Sequence, residues 1–325
     1  MGEFELIKQY FSALGRDSSG TILLGVGDDC ALIAPPADRE LVVSIDTMVE
    51  GVHFPAGTSA ERIATRLLGA ALSDLAAMAA EPGFFTLALT LPESDSQWLA
   101  AFARALAESA NQHGVRLVGG DTTRGPLTLS VQVHGWTKPG CALQRSGARP
   151  GDHVYVTGTL GDSRGGLETI LNDTLPSHDV EVLQQRFYAP QPRLSTAALF
   201  AEFATAAIDI SDGLLADLGH ILEQSGVGAL LNIDELPISQ SLHCWAGESQ
   251  SREWALSGGE DFEICFTAPA HLEPKLAWAL RGHEVAVTCI GQITEEQSLL
   301  LSEEGRVYPA VASGYNHFKS DKETS

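Results

Sequence analysis

Four short Asp-rich segments, each beside a predicted strand or helix end, restrict most strongly how this chain can fold. They are Gly25–Asp29, Ser44–Thr47, Gly119–Thr123 and Asp209–Gly213, and a fifth acid, Asp74, lies within a long predicted helix. Taken singly, each segment is typical of an ordinary turn, because Asp side chains cap nearby amides and tolerate unusual backbone angles. Taken together, they place many carboxylates at the ends of elements that a fold of this size could bring together.

Convergence of these acids would require compensating positive charge. Two unit charges about 4 Å apart repel by roughly 1 kcal/mol in water and about 4 kcal/mol at an effective dielectric constant near 20. Several such pairs would rival the whole stability of a domain, roughly 5–15 kcal/mol. Carboxylates with Ser, Thr and carbonyl oxygens form a hard ligand set that suits Mg²⁺ over zinc or copper, and Mg²⁺ often takes substrate phosphates as further ligands. The pattern therefore indicates metal-bridged phosphate transfer.

Asp74 strengthens this interpretation, because its helical neighbours Ala71, Leu75 and Met78 form an apolar stripe. A carboxylate at the edge of such a stripe needs a partner or takes up a proton. Basic residues in the same helix, Arg62 and Arg66, lie two or three turns away. A metal ion is the alternative partner.

Hydrophobic periodicity predicts an α+β fold with two domains, since strands and helices mix in both halves without strict alternation. The predicted N-terminal domain covers residues 1–137, an aperiodic Gly-, Pro- and Arg-rich linker covers 138–150, and the second domain covers 151–325. Capping-box patterns at Thr58 with Glu61 and at Ser94 with Gln97 predict the starts of two helices. The turn Gly158–Gly161 precedes another helix and could bind phosphate through amides, although a structural turn is favoured.

Composition excludes several classes of protein. Asp and Glu outnumber Lys and Arg by 42 to 20, giving a formal charge of −22, which disfavours nucleic acid and anionic membranes as partners. Five scattered cysteines without a C-x-x-C pattern argue against a disulfide scaffold or a zinc site. Neither a signal peptide nor a membrane-spanning segment is apparent, so a cytoplasmic location is expected. The sequence also lacks the Walker A, protein kinase, G-x-S-x-G and H-E-x-x-H motifs.

Six motifs in order give the chain a specific resemblance. They are GVGDDCA from Gly25, SIDT from Ser44, LSDLAAM from Leu72, GGDTT from Gly119, IDISDGL from Ile208 and SGGED from Ser257. This set resembles the thiamine-monophosphate kinases of the aminoimidazole-ribonucleotide synthetase-like superfamily, and the resemblance runs from about Gly2 to Phe318. The resemblance implies two α/β domains, a homodimer formed through the N-terminal domain, ATP and several Mg²⁺ ions, and conversion of thiamine monophosphate to thiamine diphosphate.

The resemblance also implies roles for individual residues at the matching motif positions. Magnesium ligands would be Asp29, Ser44, Asp46, Asp74, Asp121 and Asp209, with Asp212 at a further ion and Ile45 contributing its carbonyl oxygen. ATP would contact Gly120, Asp121, Arg145 and Ser211. Thiamine monophosphate would contact His53, Glu260 and a C-terminal aromatic residue, for which Tyr315 is chosen over Phe318. The adenine pocket has no motif and stays unassigned.

The expected chemistry is direct in-line attack of the substrate's phosphate oxygen on the γ-phosphorus of ATP. That oxygen is already anionic at neutral pH, since the second pKa of a phosphate monoester is about 6. No general base is therefore expected, and Arg145 would stabilise charge. Two alternatives remain open, namely another ATP-using member of the superfamily and a non-catalytic acidic protein that buffers divalent metal.

Overall fold

The computed structural model describes residues 3–12, 14 and 20–310, with side chains from Glu5 onward. Within these residues the chain forms two compact units. The first comprises the chain up to Leu143 together with Tyr188–Ala201, and the second comprises Gln144–Phe187 and the chain from Glu202. The predicted α+β fold with two domains is confirmed by the mixed helices and sheets, whereas the predicted domain limits stay a prediction. None of the described helices has the length and apolar character needed to cross a membrane.

The helices are given first, in chain order. They are α1 (Glu3–Leu6), which a π-helical turn (Ile7–Phe11) continues, α2 (Ala60–Ala77), α3 (Ser96–His113), α4 (Asp162–Leu171), α5 (His178–Tyr188), α6 (Leu194–Phe200), α7 (Leu214–Ser225), α8 (Gln240–Ala246), α9 (Glu248–Ser257) and α10 (Glu273–Ala279). Two short 3₁₀ turns, Ile233–Glu235 and Ala270–Leu272, complete the helical segments of the described chain.

The strands build one sheet and one hairpin in the first unit and a larger sheet in the second. They are β1 (Ile22–Leu24), β2 (Leu32–Ile33), β3 (Glu40–Val49), β4 (Glu81–Leu91), β5 (Arg116–Arg124), β6 (Thr128–Thr137), β7 (Asp152–Thr157), β8 (Ala206–Asp209), β9 (Gly228–Asn232), β10 (Ile264–Pro269), β11 (Val287–Thr294), β12 (Leu299–Glu303) and β13 (Arg306–Pro309).

The first unit is organised around the sheet β3-β6-β4-β5, in which only the β4–β5 pair is parallel. Helices α2 and α3 pack against each other, and α2 also packs against β3, β6 and β4. Alternate residues of β4, including Phe85, Leu87 and Leu89, are buried. This period of two is what a strand with one covered face requires. The sheet therefore offers one covered face to α2 and a second face that is partly open.

The second unit is organised around the sheet β13-β12-β9-β11-β7-β10-β8, with β9–β12 as its parallel pair. Its core combines β7, β8 and β9 with α7, through buried residues such as Val154, Ile208, Leu218 and Leu231. Strand β8 ends at Asp209 and pairs with β10, so the sheet positions the start of the Asp209–Gly213 segment.

Both predicted capping boxes are displaced by one residue. Helix α2 begins at Ala60 with Ser59 as its cap, whereas the Thr58 hydroxyl donates to the Pro55 carbonyl oxygen. Helix α3 begins at Ser96, and the Asp95 carboxylate accepts from the Gln97 amide at 2.8 Å. At α3 the cap is a carboxylate, which interacts favourably with the helix dipole, whereas at α2 one hydroxyl residue, Ser59, takes the place of another, Thr58. The sequence pattern therefore identified both helices and assigned the wrong cap.

The assignment of this cap predicts unequal effects at neighbouring positions. Asp95→Ala removes the acceptor of the Gln97 amide and should lower the free energy of unfolding by about 1 kcal/mol. Ser94→Ala, one residue earlier, should change it by less than about 0.5 kcal/mol. Urea unfolding of the two variants measures the difference. A larger loss from Ser94→Ala than from Asp95→Ala would contradict this assignment.

Candidate active site

Strand β3 presents Ser44 and Asp46 on the face that packs against α2. Val42 and Met48, which lie at alternate positions of β3 on the same face as Ser44 and Asp46, are buried, whereas Ile45 is 61% exposed on the opposite face. Alternation along a strand sends successive side chains to opposite faces. Ile45 therefore directs its side chain away from the two acidic and hydroxyl side chains, which suits the expected contribution of its carbonyl oxygen alone.

Helix α2 brings Asp74 to these residues, because its half-buried carboxylate faces β3 and accepts a short hydrogen bond from the Ser44 hydroxyl. Burial, and secondarily the nearby Asp74 carboxylate, raises the pKa of Asp46 from 3.8 to about 6. Both causes act in the same direction, since desolvation and a like charge each disfavour the ionised form. Ser44, Asp46 and Asp74 therefore form a half-buried acidic cluster, hereafter the β3–α2 cluster.

The β3–α2 cluster fits a hard divalent cation by its chemistry. It supplies two carboxylates and one hydroxyl, all oxygen donors, and burial together with the neighbouring Asp74 carboxylate disfavours the ionised form of Asp46 in the absence of a cation. No set of three or more His, Cys, Asp or Glu side chains is grouped around a common metal position within residues 3–12, 14 and 20–310. The predicted convergence of all the acids therefore stays a prediction beyond this cluster.

A cavity of about 330 Å³ brings two other predicted site segments together. Asp28, Asp29, Gly120 and Asp121 are among the residues that line it. Its apolar lining residues are Ile7, Phe11, Val26, Leu87, Leu89 and Leu117. A concave site of this size with apolar walls and a few convergent polar groups is typical of a small-ligand pocket. The first unit thus contains an acidic cluster and a cavity with acidic residues in its lining.

Two of the four Asp-rich segments lie within strands. Ser44–Thr47 lies within β3, and Gly119–Thr123 lies within β5, where Gly120 pairs with Leu87 and Asp121 with Ala88. A Cβ atom on Gly120 would lie 1.9 Å from the Leu87 carbonyl oxygen. Glycine at this position therefore reflects the close approach of two strand backbones, which the sequence pattern attributed to a turn.

In the second unit the segments Asp209–Gly213 and Gly258–Phe262 pair with each other. The amides of Glu260 and Phe262 donate to the carbonyl oxygens of Ser211 and Ile210, at 2.7 and 2.9 Å. Glu260 and Phe262 both adopt positive φ angles, 58° and 51°. Such angles are uncommon for residues other than glycine and persist where surrounding contacts enforce them. The structure thus brings the predicted residues Ser211 and Glu260 together.

Sequence reasoning missed Asp217, which holds the first of these segments in place. One carboxylate oxygen accepts from the amides of Ser211, Asp212 and Gly213, at 3.0, 3.0 and 3.1 Å. Burial raises the pKa of Asp217 to about 7, although these amide bonds oppose the shift. Its position early in α7, four residues after Gly213, was the available sequence signal, because such an acid can reach back to the preceding loop.

Asp261 plays a similar part for the second segment. Its carboxylate, buried with 4% of the residue exposed, accepts from the amides of Gly161 and Ser163 at 2.7 and 3.2 Å. These amides open α4, so an internal carboxylate already occupies the position where a phosphate could bind. The turn Gly158–Gly161 is therefore structural, as favoured from the sequence. Burial raises the pKa of Asp261 to about 8.

A buried ionic network extends from this point and was also missed. The Arg186 guanidinium donates to Glu263 at 2.6 Å and lies 3.7 Å from Asp162. Glu263 also accepts from the Thr157 hydroxyl at 2.6 Å. Nearby Glu263 and Asp162 raise the pKa of Arg186 against the effect of burial. The network fixes the residues that follow Glu260 and Asp261.

The other residues that the sequence predicts as metal or substrate contacts differ in their exposure to solvent. Arg145 is exposed, and its carbonyl oxygen accepts from the Ser225 hydroxyl at 3.4 Å. Asp209 is buried at the end of β8, and Asp212 is half-buried. Tyr315 and Phe318 lie outside the described residues. The ligand contacts assigned to all of these residues stay predictions.

Comparison with known proteins defines the class of this fold and site. Residues 27–137 match the family model for the N-terminal domain of AIR synthase related protein, and residues 149–302 match the model for its C-terminal domain. Together they cover most of the chain, which is thus a two-domain AIR synthase related protein.

Closer relatives narrow the class. Thiamine-monophosphate kinase of Salmonella typhimurium is 44% identical over 320 residues, covering 98% of each chain. The crystal structure of thiamine-monophosphate kinase from Stenotrophomonas maltophilia superimposes with a TM-score of 0.84 at 44% identity, covering 89% of this chain and 92% of that one. The structure of AaThiL complexed with AMPPCP and TMP superimposes with a TM-score of 0.78 at 30% identity, covering 98% of this chain and 97% of that chain. The chain belongs to the thiamine-monophosphate kinase family.

The raised pKa of Asp46 predicts a pH dependence of stability when divalent cations are chelated. The folded-state pKa of Asp46, about 6, exceeds the ordinary value of 3.8 for an aspartate side chain. The contribution of Asp46 is therefore greatest below about pH 4 and is lost as pH rises through 6. Asp46→Asn removes this ionisation, so between pH 4 and 7 its free energy of unfolding should rise relative to wild type by about 1–2 kcal/mol, after allowance for solvent screening.

Urea unfolding in EDTA at several pH values measures this difference, and groups that titrate alike in both proteins cancel. Parallel curves for wild type and Asp46→Asn would contradict the assignment of a raised pKa to Asp46.

Proposed function

We propose that this protein transfers the γ-phosphate of ATP to thiamine monophosphate, producing ADP and thiamine diphosphate with the assistance of several Mg²⁺ ions. The observation that carries the proposal is the β3–α2 cluster, a half-buried pair of acids with a hydroxyl in a member of the thiamine-monophosphate kinase family. The AaThiL structure, which contains AMPPCP and TMP, supports ATP and thiamine monophosphate as the two substrates.

The oxygen donors of the cluster would hold magnesium. When bound, Mg²⁺ supplies charge neutralisation for the transferring phosphate. Ser44 orients the Asp74 carboxylate through its hydrogen bond, and both acids are fixed by β3 and α2 instead of by a loop. Rigid elements of this kind hold ligand groups with little reorganisation. The contributions of Asp29, Ile45, Asp121, Asp209 and Asp212 as further magnesium ligands belong to the same proposal.

The reaction needs no protein base in this proposal, because the attacking phosphate oxygen is already an anion at neutral pH. The chain's contribution is to position two anions and to reduce the repulsion between them. Arg145 supplies positive charge, and its backbone is anchored to α7 through Ser225. His53, Glu260 and the C-terminal aromatic residue Tyr315 would contact thiamine monophosphate, and Ser211 would contact ATP.

The cavity beside Asp121 is the proposed site of the nucleotide base. Its apolar wall of Ile7, Phe11 and Leu117 suits a flat heterocycle. Asp29 and Asp121 in the lining would then lie on the side of the charged phosphates. The cavity thus offers a location for adenine that no sequence motif indicated.

A homodimer formed through the first unit is also part of the proposal. The open face of β3 exposes three large apolar side chains, Leu41 (52%), Val43 (46%) and Ile45 (61%), at the edge of the four-stranded sheet. Contiguous exposed apolar residues on a sheet face are typical of an interaction surface. A second copy of this chain is the proposed occupant. A cytoplasmic location stays a prediction.

The proposed reaction can be tested by incubating the purified chain with ATP, Mg²⁺ and thiamine monophosphate. We expect ADP and thiamine diphosphate in equal amounts. Asp74→Asn retains an acceptor for the Ser44 hydroxyl but removes one charge, so kcat/KM should fall about a hundredfold or more. Glu108→Gln, an exposed acid of α3, is the matched control and should retain wild-type activity.

Absence of thiamine diphosphate would exclude the kinase, whereas equal activity of the Asp74→Asn and Glu108→Gln variants would contradict the role of the β3–α2 cluster in the reaction. A protein that only buffers divalent metal would bind Mg²⁺ without forming ADP. Another ATP-using enzyme of the superfamily would form no thiamine diphosphate.

The proposed base site predicts a selective effect of filling the cavity. Ile7 is half-buried at its edge, so Ile7→Trp should occupy part of the volume and raise the KM for ATP about tenfold. The KM for thiamine monophosphate should change less than about twofold. Steady-state kinetics with each substrate varied in turn measures both values. An unchanged KM for ATP would place the base elsewhere.

A further inference from the structure

His53 lies in a turn that engages its ring and both of its backbone polar groups. The His53 amide donates to the Val49 carbonyl oxygen at 3.0 Å, and the Val49 amide donates to His53 Nδ1 at 3.1 Å. The Arg66 Nε group donates to the His53 carbonyl oxygen at 3.2 Å. The side chain of His53 is therefore fixed from β3, and its backbone is fixed from both β3 and α2.

The bond from Val49 decides the chemical form of the imidazole ring. A backbone N–H group can only donate, so His53 Nδ1 must present its lone pair. In a neutral imidazole the single proton then resides on Nε2. The ring is consequently the Nε2–H tautomer, and Nε2 can donate a hydrogen bond but cannot accept one.

The surroundings of the turn make this arrangement rigid. The Gly51 amide donates to the Phe54 carbonyl oxygen at 2.8 Å, and Phe54 itself is 2% exposed. Arg66 has no exposed surface at all, which is unusual for an arginine. A buried guanidinium beneath an exposed turn can position that turn, since its planar set of N–H donors fixes the direction of each hydrogen bond and also carries a charge.

We propose that His53 is held as the Nε2–H tautomer by Val49, that it recognises a hydrogen-bond acceptor of thiamine monophosphate through Nε2–H, and that Arg66 is a positioning residue for this turn. The acceptor is a phosphate oxygen or an unprotonated ring nitrogen. The recognition step rests on the proposed function, whereas the tautomer and the role of Arg66 in the turn do not. They go beyond the contact that family resemblance implies for His53.

The tautomer can be tested without any activity measurement. In ¹⁵N-labelled protein at pH 7, long-range ¹H–¹⁵N spectra distinguish a protonated ring nitrogen from one with a lone pair, and the His53→Asn spectrum identifies the His53 signals by their absence. We expect a lone pair on Nδ1 and a proton on Nε2. A proton on Nδ1, or on both nitrogens, would overturn the proposal even if the enzyme is fully active.

Two variants of His53 separate the acceptor function of Nδ1 from the donor function of Nε2. His53→Asn keeps an acceptor for the Val49 amide but lacks the Nε2–H donor, whereas His53→Gln carries an amide donor at about the position of Nε2. We expect His53→Asn to raise the dissociation constant for thiamine monophosphate about ten- to a hundredfold, as for loss of a hydrogen bond to a charged group. His53→Gln should bind within about tenfold of wild type, and ATP affinity should be unchanged in both.

Calorimetric titration measures these constants, so an inactive but ligand-binding protein would still test recognition. Unchanged binding by His53→Asn would overturn the recognition step. Thiamine, which lacks the phosphate, locates the acceptor: equal weakening for thiamine indicates a ring nitrogen, and weakening for the monophosphate alone indicates a phosphate oxygen.

Arg66 is tested through the same ring signals. Arg66→Met should broaden or shift the His53 resonances and weaken thiamine monophosphate binding about tenfold, while Arg66→Lys, which retains a donor, should recover part of both. If Arg66→Met does not fold, Arg66→Lys alone decides, since a displaced donor should still shift the ring signals. Wild-type ring signals in a folded Arg66 variant would contradict the positioning role.

Discussion

The forced proximity of Asp46 and Asp74 is the constraint around which the first unit is built. Alternation along β3 turns Asp46 toward α2, and α2 in turn carries Asp74 to the Ser44 hydroxyl. Burial and like charge raise the pKa of Asp46, so the fold holds two acids where neither is well solvated. Such an arrangement costs stability unless cations or protons compensate it. The apolar contacts of α2 and α3 with the sheet offset this cost and keep the acids in place.

In the second unit, buried carboxylates hold the loops in place by accepting hydrogen bonds from backbone amides. Asp217 gathers three amides of the Asp209–Gly213 segment, and Asp261 occupies the first amides of α4. In each case a buried acid holds a loop whose neighbouring residues are the proposed ligand contacts. Glu260 keeps its unusual backbone angle between these two anchors. Loop shape in this unit therefore depends on acids that themselves have no predicted contact with substrate.

Much of this could be predicted from the sequence, because helix-start patterns predicted α2 and α3, and apolar neighbours placed Asp74 at the edge of a buried helix face. The helix caps were wrong by one residue, since Ser94 and Asp95 compete for the same role and only the local backbone decides between them. The strand identity of Gly119–Thr123 was missed because it depends on the approach of Gly120 to Leu87, a contact between segments distant in sequence.

The carboxyl groups with raised pKa values have a consequence for the protein as a polyelectrolyte. Asp46, Asp217 and Asp261 titrate at about 6, 7 and 8, whereas a formal charge of −22 counts all three as ionised. Near neutral pH the folded chain therefore retains protons on acidic side chains and is less anionic than its composition states. Binding of a cation beside Asp46 would displace hydrogen ions into the surrounding solution, and this release would be largest at pH values near or below 6.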